Sequence, residues 1–414
     1  MGKDYEIERE VIHIQQALSQ NKRPIGFLLC AGCPLSIRVD AEGNGAESKP
    51  LISDISGLTA AISQELSGLP ENETTWDKLL RTFEEDGVDN PNIEVILTRV
   101  RALKSVAGSG VVRSLQKKDL EDLDQEICRL IAREVDKELP SKESPFHNLA
   151  HWARSVRRQK PVHMFTTNYD LLLEQALEES RTRYFDGFVG ARRGFFDLGA
   201  VEEEASLPAS WTRLWKLHGS INWKLVGEPN HSEVVRTDQP DPANKFLIFP
   251  SHLKYEESRK MPYLAMIDRL KAFLLMPSSV MFISGYSFGD EHINDVLCRA
   301  LDSNPTAMVY AFLFGELITE DGRYVNAIKC AKRTSNLSLI ALDQGIIGRE
   351  SRAWKSKGWD PLAIPAGTLE LCEDQDESEE PGACKCHLGD FAKFGELLKK
   401  VSGPTEDENK HAEL

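Results

Sequence analysis

Four short segments of this 414-residue chain set reactive or hydrogen-bonding side chains beside glycine or other small residues. The first is Cys30-Ala31-Gly32-Cys33-Pro34-Leu35-Ser36. Small residues there would let backbone N–H groups approach a phosphate, although an ordinary tight turn has the same composition. The second, Thr166-Thr167-Asn168-Tyr169-Asp170, offers in Asn168 both a donor and an acceptor, suited to holding sugar hydroxyls or a water. Asp170 could equally do no more than cap a following helix. The third, Lys216-Leu217-His218-Gly219-Ser220, carries a histidine where a general base could reach a substrate proton, unless it is a hydrogen-bonded core residue. In the fourth, Ser284-Gly285-Tyr286-Ser287-Phe288-Gly289-Asp290, Gly285 permits close backbone approach and the hydroxyls of Ser284 and Ser287 could bond a ribose or phosphate. Asp290 is a natural N-cap.

Other candidates read more plainly. Cys30 and Cys33 form a Cys-x-x-Cys, but their apolar surroundings suit buried thiols in a reducing compartment. Cys372, Cys384, Cys386 and His387 resemble zinc ligands, yet one residue separates Cys384 from Cys386 where structural sites use two to four; no structural zinc is expected. Arg154, Arg157, Arg158 and Lys160 read as a solvated helix end, with a partner contact as the sharper alternative.

The elements that must position these groups follow from periodicity. IGFLLCA (25–31) is a short buried strand, and residues 51–158 are mostly helical, with apolar residues at i, i+3/i+4 and i+7. The pattern changes at Pro161. VHMFTT (162–167) is a strand, DLLLEQALEES (170–180) a helix, and 183–190, 214–223 and 245–250 are strand-like. Helix 260–275, strand 279–285, helix 290–302, strand 308–314, helix 322–332 and strand 337–342 then alternate. The expected fold is α/β, Rossmann-like, with a mostly parallel sheet and a helical insertion. Residues 1–39 and 160–365 would form the catalytic domain, 40–159 the insertion, and 366–414 an acidic tail with one amphipathic helix at 390–401.

Hydrophobic residues make up 41% and charged residues 28%, enough for a sizeable core. The net charge of −15 argues against a protein that coats nucleic acid. Residues 370–414 hold 13 acidic and 5 basic side chains, so −8 of that charge sits in the tail. No apolar run reaches the ~18–20 residues that span a bilayer, and the polar start lacks a secretory h-region. A bacterial cytoplasmic location is expected.

Taken together and in order, CAGCPLS, TTNYD, KLHGS and SGYSFGDEHIN resemble the sirtuin fold, most of all the sirtuin-like NAD-degrading effectors of bacterial anti-phage defence. The resemblance covers about 20–37 and 160–345. It implies Ala31, Gly32 and Ser36 at the phosphate turn, Thr167, Asn168 and Asp170 in the nicotinamide-side pocket, and Gly285 and Ser287 against the adenosine portion of NAD. Asn168 and His218 fall on the catalytic pair. Cys30 stands where the family usually begins this turn with Gly. No cysteine occurs between 219 and 297, so the paired zinc ribbon of the protein deacylases is missing.

The activity so implied is hydrolysis of NAD to nicotinamide and ADP-ribose, with NAD as substrate. Nicotinamide leaves a cationic pyridinium, so an oxocarbenium-like transition state needs no strong general acid. The competing readings are an NAD-dependent protein deacylase and a non-catalytic scaffold binding NAD or ADP-ribose; nuclease activity would come from a partner. The resemblance extends to the sirtuin-like subunit that pairs with a HerA-type hexameric ATPase/translocase. It implies a large, ring-like homo-oligomer, no membrane contact, and nucleic acid met only through the partner. The helices between 51 and 158 and helix 390–401 are the expected assembly surfaces.

Overall fold

The structure, a computed structural model, describes residues 5–39, 48–68, 73–108, 110–155, 158–227, 233–238, 262–318, 322–372 and 382–403. The strand expected at 245–250, and Arg157 of the basic cluster, lie outside them.

Six parallel strands form the centre: β1 (Ile25–Leu29), β2 (Val162–Thr166), β3 (Thr212–Lys216), β4 (Val280–Ser284), β5 (Met308–Phe312) and β6 (Leu337–Ile340). β1 pairs in parallel with both β2 and β4, β3 extends the sheet beyond β2, and β5 and β6 extend it beyond β4. The spatial order is therefore β3-β2-β1-β4-β5-β6, the doubly wound arrangement, with the chain reversing direction across the sheet at β1. β7 (Gln344–Ile347) and β8 (Glu350–Lys355) add an antiparallel edge, and Tyr5–Glu6 and Tyr184–Phe185 close the two margins. The α/β class and mostly parallel sheet expected from the sequence are what is found.

All five residues of β1, β2, β3 and β4 are buried. The reason is that alternate side chains feed two cores, one on each face. Phe27, Met164, Leu214, Phe282 and Phe312 join a core with helix Ile7–Leu18, the helices between 55 and 155, and helix Phe391–Ser402. Leu28, Phe165, Trp215, Met281 and Ile283 join the other, under helices Tyr263–Leu275, Glu291–Ser303 and Val325–Arg333. Two covered faces explain why these strands read as apolar runs without a polar alternate.

The structure redraws several elements. Helix 170–180 begins at Leu172, not Asp170, whose Oδ1 accepts the Leu172 N–H at 3.1 Å instead. The segment 183–190 splits at Gly187 (φ +92°) into Tyr184–Phe185, on the main sheet, and Phe188–Val189, in a separate four-stranded antiparallel sheet. Likewise 214–223 is not one strand: Trp223–Val226 joins that second sheet after the turn at Gly219. The block read as mostly helical, with no strand alternation, also contains a small hairpin, Val111–Val112 with Leu115–Gln116.

Helix Phe391–Ser402 turns its apolar face inward, leaving residues such as Glu396 and Lys400 exposed. Phe394 sits with its ring centroid 6.2, 6.0 and 4.7 Å from those of Phe27, Phe282 and Phe312, on three adjacent strands. Gly395 is needed where the helix crosses Pro145, since a Cβ there would lie 2.9 Å from the proline Cα. The amphipathic face read from the sequence is spent on the chain's own core.

Candidate functional site

In a doubly wound sheet, ligands bind outside the carboxyl ends of the strands at the point where strand order reverses. Here that point is the boundary of β1 and β4, and all four sequence segments lie at strand ends around it.

After β1 the chain turns into a four-residue helix, Gly32–Leu35. After β4 it turns through Gly285 at φ +69°, a left-handed conformation that favours glycine. The two glycines are pressed together: the Gly32 N–H donates to the Gly285 carbonyl at 3.0 Å. A Cβ on Gly32 would stand 2.6 Å from Gly285 Cα, and one on Gly285 2.6 Å from Cys33 N. Close backbone approach is therefore required, but much of it is between two turns 253 residues apart. Ala31, Ser287 and Gly289 form an exposed, small-residue rim around this contact. Ser36 is half-buried and its hydroxyl donates to the Cys33 carbonyl at 2.8 Å. Cys30 and Cys33 are buried and in no disulfide, and burial pushes Cys33 far above the usual thiol range, so Cys33 is not a poised nucleophile.

The turn 285–290 is fixed by side chains that follow it. Tyr286 Oη lies 2.8 Å from Asn294 Oδ1, and Asn294 and Asn326 both donate to the Phe288 carbonyl, at 2.8 and 3.2 Å. Phe288, buried and at φ +59°, is held in a conformation that a phenylalanine rarely adopts.

At the end of β2, Asn168 is buried and its Nδ2 donates to the Cys30 carbonyl at 3.4 Å, tying the β2 and β1 turns together. Thr166 Oγ1 accepts the Asn168 N–H at 3.0 Å, and Thr167 N donates to the Leu29 carbonyl at 3.3 Å. Asp170 is buried, and burial pushes its carboxyl up against the opposing pull of Lys216 and of a hydrogen bond from Asn168. Lys216, the last residue of β3, points its ammonium at the Asp170 carbonyl and at Glu174 Oε1, 2.9 Å away. Its side chain is 3% exposed, so this charged group is internal to the protein. Glu174 is likewise pushed up by burial and held back by Lys216.

Beyond β3, His218 Nε2 lies 3.1 Å from Asp290 Oδ2. The other oxygen of Asp290 accepts the N–H groups of His292 and Ile293, at 2.9 and 3.2 Å, and so caps helix Glu291–Ser303. One carboxylate thus starts a helix and faces the histidine. Asp290 was legible from the sequence only as a cap. The buried triad of Asp170, Lys216 and Glu174 also went unread, although a lysine closing the apolar run Leu214-Trp215-Lys216 signals a buried partner.

Two cavities open beside these turns. One of 810 Å³ is bordered by Gly289, Asp290 and Asn294; the other, of 830 Å³, by Leu171, Glu174, Asp186 and Asn222. The structure therefore brings Ala31, Gly32, Asn168, Asp170, His218, Gly285 and Ser287 to one end of the sheet. Ser36 borders that region with its hydroxyl engaged locally, and Thr167 with its backbone N–H engaged. Among the described residues no cluster of three or more His, Cys, Asp or Glu side chains is arranged to hold a metal. Cys384 and Cys386 are buried in a strand, where burial pushes their thiols up to about 11 and about 12.

Residues 162–337, somewhat less than half of the chain, match the family model of a SIR2-like domain; the span takes in Asn168, His218, Gly285, Ser287 and Asp290. Among solved structures, one from work on the mechanism and regulation of Sir2 enzymes is 12% identical, covering 77% of this chain and 90% of that one, with a TM-score of 0.34. A Sir2 homologue–NAD complex is 10% identical over 75% of this chain and 84% of that one, TM-score 0.31. Sir2 bound to acetylated peptide is 11% identical over 75% and 89%, TM-score 0.30. No curated protein matches the chain. No helix among the described residues is long and apolar enough to cross a membrane.

Proposed function

We propose that the chain hydrolyses the bond between nicotinamide and ribose in NAD, releasing nicotinamide and ADP-ribose. The observation that supports this reading is that Asn168 and the His218–Asp290 pair stand at the same carboxyl end of the sheet, around its strand-order reversal, within the residues that match a SIR2-like domain.

The C1′–N bond breaks with its electron pair leaving on the pyridine nitrogen, which neutralises that ring. Water supplies the new C1′–O bond and one proton. Asp290 accepts from His218 Nε2–H, which leaves the Nδ1 lone pair as the base that takes this proton. Asn168 has its amide hydrogens directed to the Cys30 carbonyl and Asp170, so its oxygen is the acceptor that orients the attacking water. The rim of Ala31, Ser287 and Gly289 holds the diphosphate and adenosine portion, fixing the ribose for attack. NAD depletion as an anti-phage effector, a homo-oligomeric state and pairing with a HerA-type ATPase belong to the same proposal and rest on the motif resemblance.

Nicotinamide release by the purified full chain, alone and with the ATPase, tests it. Asn168→Ala and His218→Ala should each lower turnover by about a hundredfold or more. Wild-type turnover in both variants would overturn the assignment. Deacylation of an acylated peptide at a rate exceeding nicotinamide release into water would transfer the same residues to the deacylase reading.

A further inference from the structure

The basic cluster noted in the sequence is unused by the proposed chemistry, and the fold gives it company. A cavity of 550 Å³ is lined by Arg154, Arg158, Lys160, Arg181 and Arg183, together with Trp211 and no Asp or Glu among its described lining residues. Val162 and Thr212, the first residues of β2 and β3, also line it. It therefore lies at the amino ends of the strands whose carboxyl ends carry Asn168 and His218. Five strand residues at ~3.3 Å each separate the two ends by about 15 Å.

We infer that this cavity is a binding site for a nucleotide carrying two or more phosphates, distinct from the crevice at the carboxyl ends. Lys160, Arg181 and Arg183 are exposed, and their side chains make no ion pair among the described residues. Arg154 is already aimed by its bond to the Ser180 carbonyl at 3.0 Å. Arg158 forms the deep wall: its guanidinium lies 3.9 Å over the Trp152 ring and donates to the Leu18 carbonyl at 3.2 Å. Burial lowers it to about 10, a cost that an anion brought against it would offset.

Arg181 stands in the left-handed region at φ +52°, just past the end of helix Leu172–Glu179, where glycine is the favoured residue. Guanidinium forks match phosphate oxygens in pairs. The half-buried indole of Trp211 offers a base a flat apolar wall. The volume falls in the ~300–1,000 Å³ range of small-ligand pockets. A nucleic-acid strand would need a basic stripe running along the surface, whereas this charge converges in a hollow of an otherwise acidic chain.

Calorimetric titration of the full chain with ATP, in saturating ADP-ribose to occupy the opposite crevice, tests the inference. Inorganic pyrophosphate and a 20-nucleotide single strand are titrated in parallel. ATP should bind with submillimolar affinity, pyrophosphate more weakly, and the triple variant Lys160→Ala/Arg181→Gly/Arg183→Gln should lose about a hundredfold or more, since each charge-assisted contact removed is worth about tenfold. Arg181→Gly suits the local backbone, so the variant keeps its fold, checked by its thermal midpoint and its unchanged nicotinamide release. ATP binding equal in wild type and variant would overturn the site. So would absence of ATP binding, or preference for the oligonucleotide with a steep salt dependence.

Discussion

The two ends of β2 and β3 make opposite environments from the same strands. At the amino ends gather Lys160, Arg183 and the buried Arg158, around a hollow bordered by cations. At the carboxyl ends the largely buried charged groups are paired: Lys216 with Glu174, His218 with Asp290. Two histidines mark the contrast. His163, in β2, is 1% exposed, stacked near Phe165 and Phe273, and receives the Trp215 Nε1–H at 3.3 Å; burial pulls it down to about 3. His218, two residues beyond β3, has a carboxylate in front of it and 13% of its side chain exposed. The difference follows from burial: His163 lies inside the sheet, packed on both sides, whereas His218 stands beyond a strand end where the chain opens to solvent.

The largest effect expected comes from breaking the internal charge pairing of the carboxyl ends. Lys216→Met leaves Asp170 and Glu174 buried without their cation, and should cost about 3–5 kcal/mol in a urea-unfolding comparison. Both carboxyls are already pushed up by burial, so the deficit should shrink at pH 5, where they take up protons in the variant; a deficit that stays constant would argue against this pairing. Next in size, Asp290→Asn keeps an oxygen for the helix cap but removes the charge facing His218. Nicotinamide release should fall about tenfold through kcat with little change in KM. An unchanged kcat would reduce Asp290 to a cap.

The smallest effect sharpens the histidine contrast. His163 has a folded value below its ordinary 6.5, so between pH 6.5 and about 3 the unfolded chain holds a proton that the native state does not. Its contribution is complete above pH 6.5 and is lost as pH falls through that window, by at most about 1.4 kcal/mol per pH unit. His163→Phe should be less stable at pH 7, having left the Trp215 N–H unpaired, yet lose less on going to pH 5. Parallel urea midpoints of the two proteins would decide it.

The strands were the legible part of the fold, because burial on both faces leaves short apolar runs such as Val162–Thr166 and Val280–Ser284 bounded by turn residues. The strand-end segments were legible for the same reason, as glycine, asparagine and aspartate stand out after such runs. Partnerships across the sequence were not. Nothing in Gly32 alone says that its neighbour is Gly285, and nothing in Asp290 says that a histidine 72 residues earlier faces its second oxygen. The second sheet was also hidden: Gly194–Phe196, Trp223–Val226 and Glu233–Arg236 are too short to show a period, and only their mutual pairing defines them. The position of helix Phe391–Ser402 was misread because amphipathicity reveals that a face is buried and not against what.

That helix has a consequence for how the protein is made. It supplies Phe394 to a sheet face whose first strand, β1, leaves the ribosome hundreds of residues earlier. Until it arrives, Phe27, Phe282 and Phe312 lack the Phe394 ring that covers them, and the growing chain exposes an apolar flank. Closure of this core therefore waits for residues about 360 positions downstream of the strand that begins it.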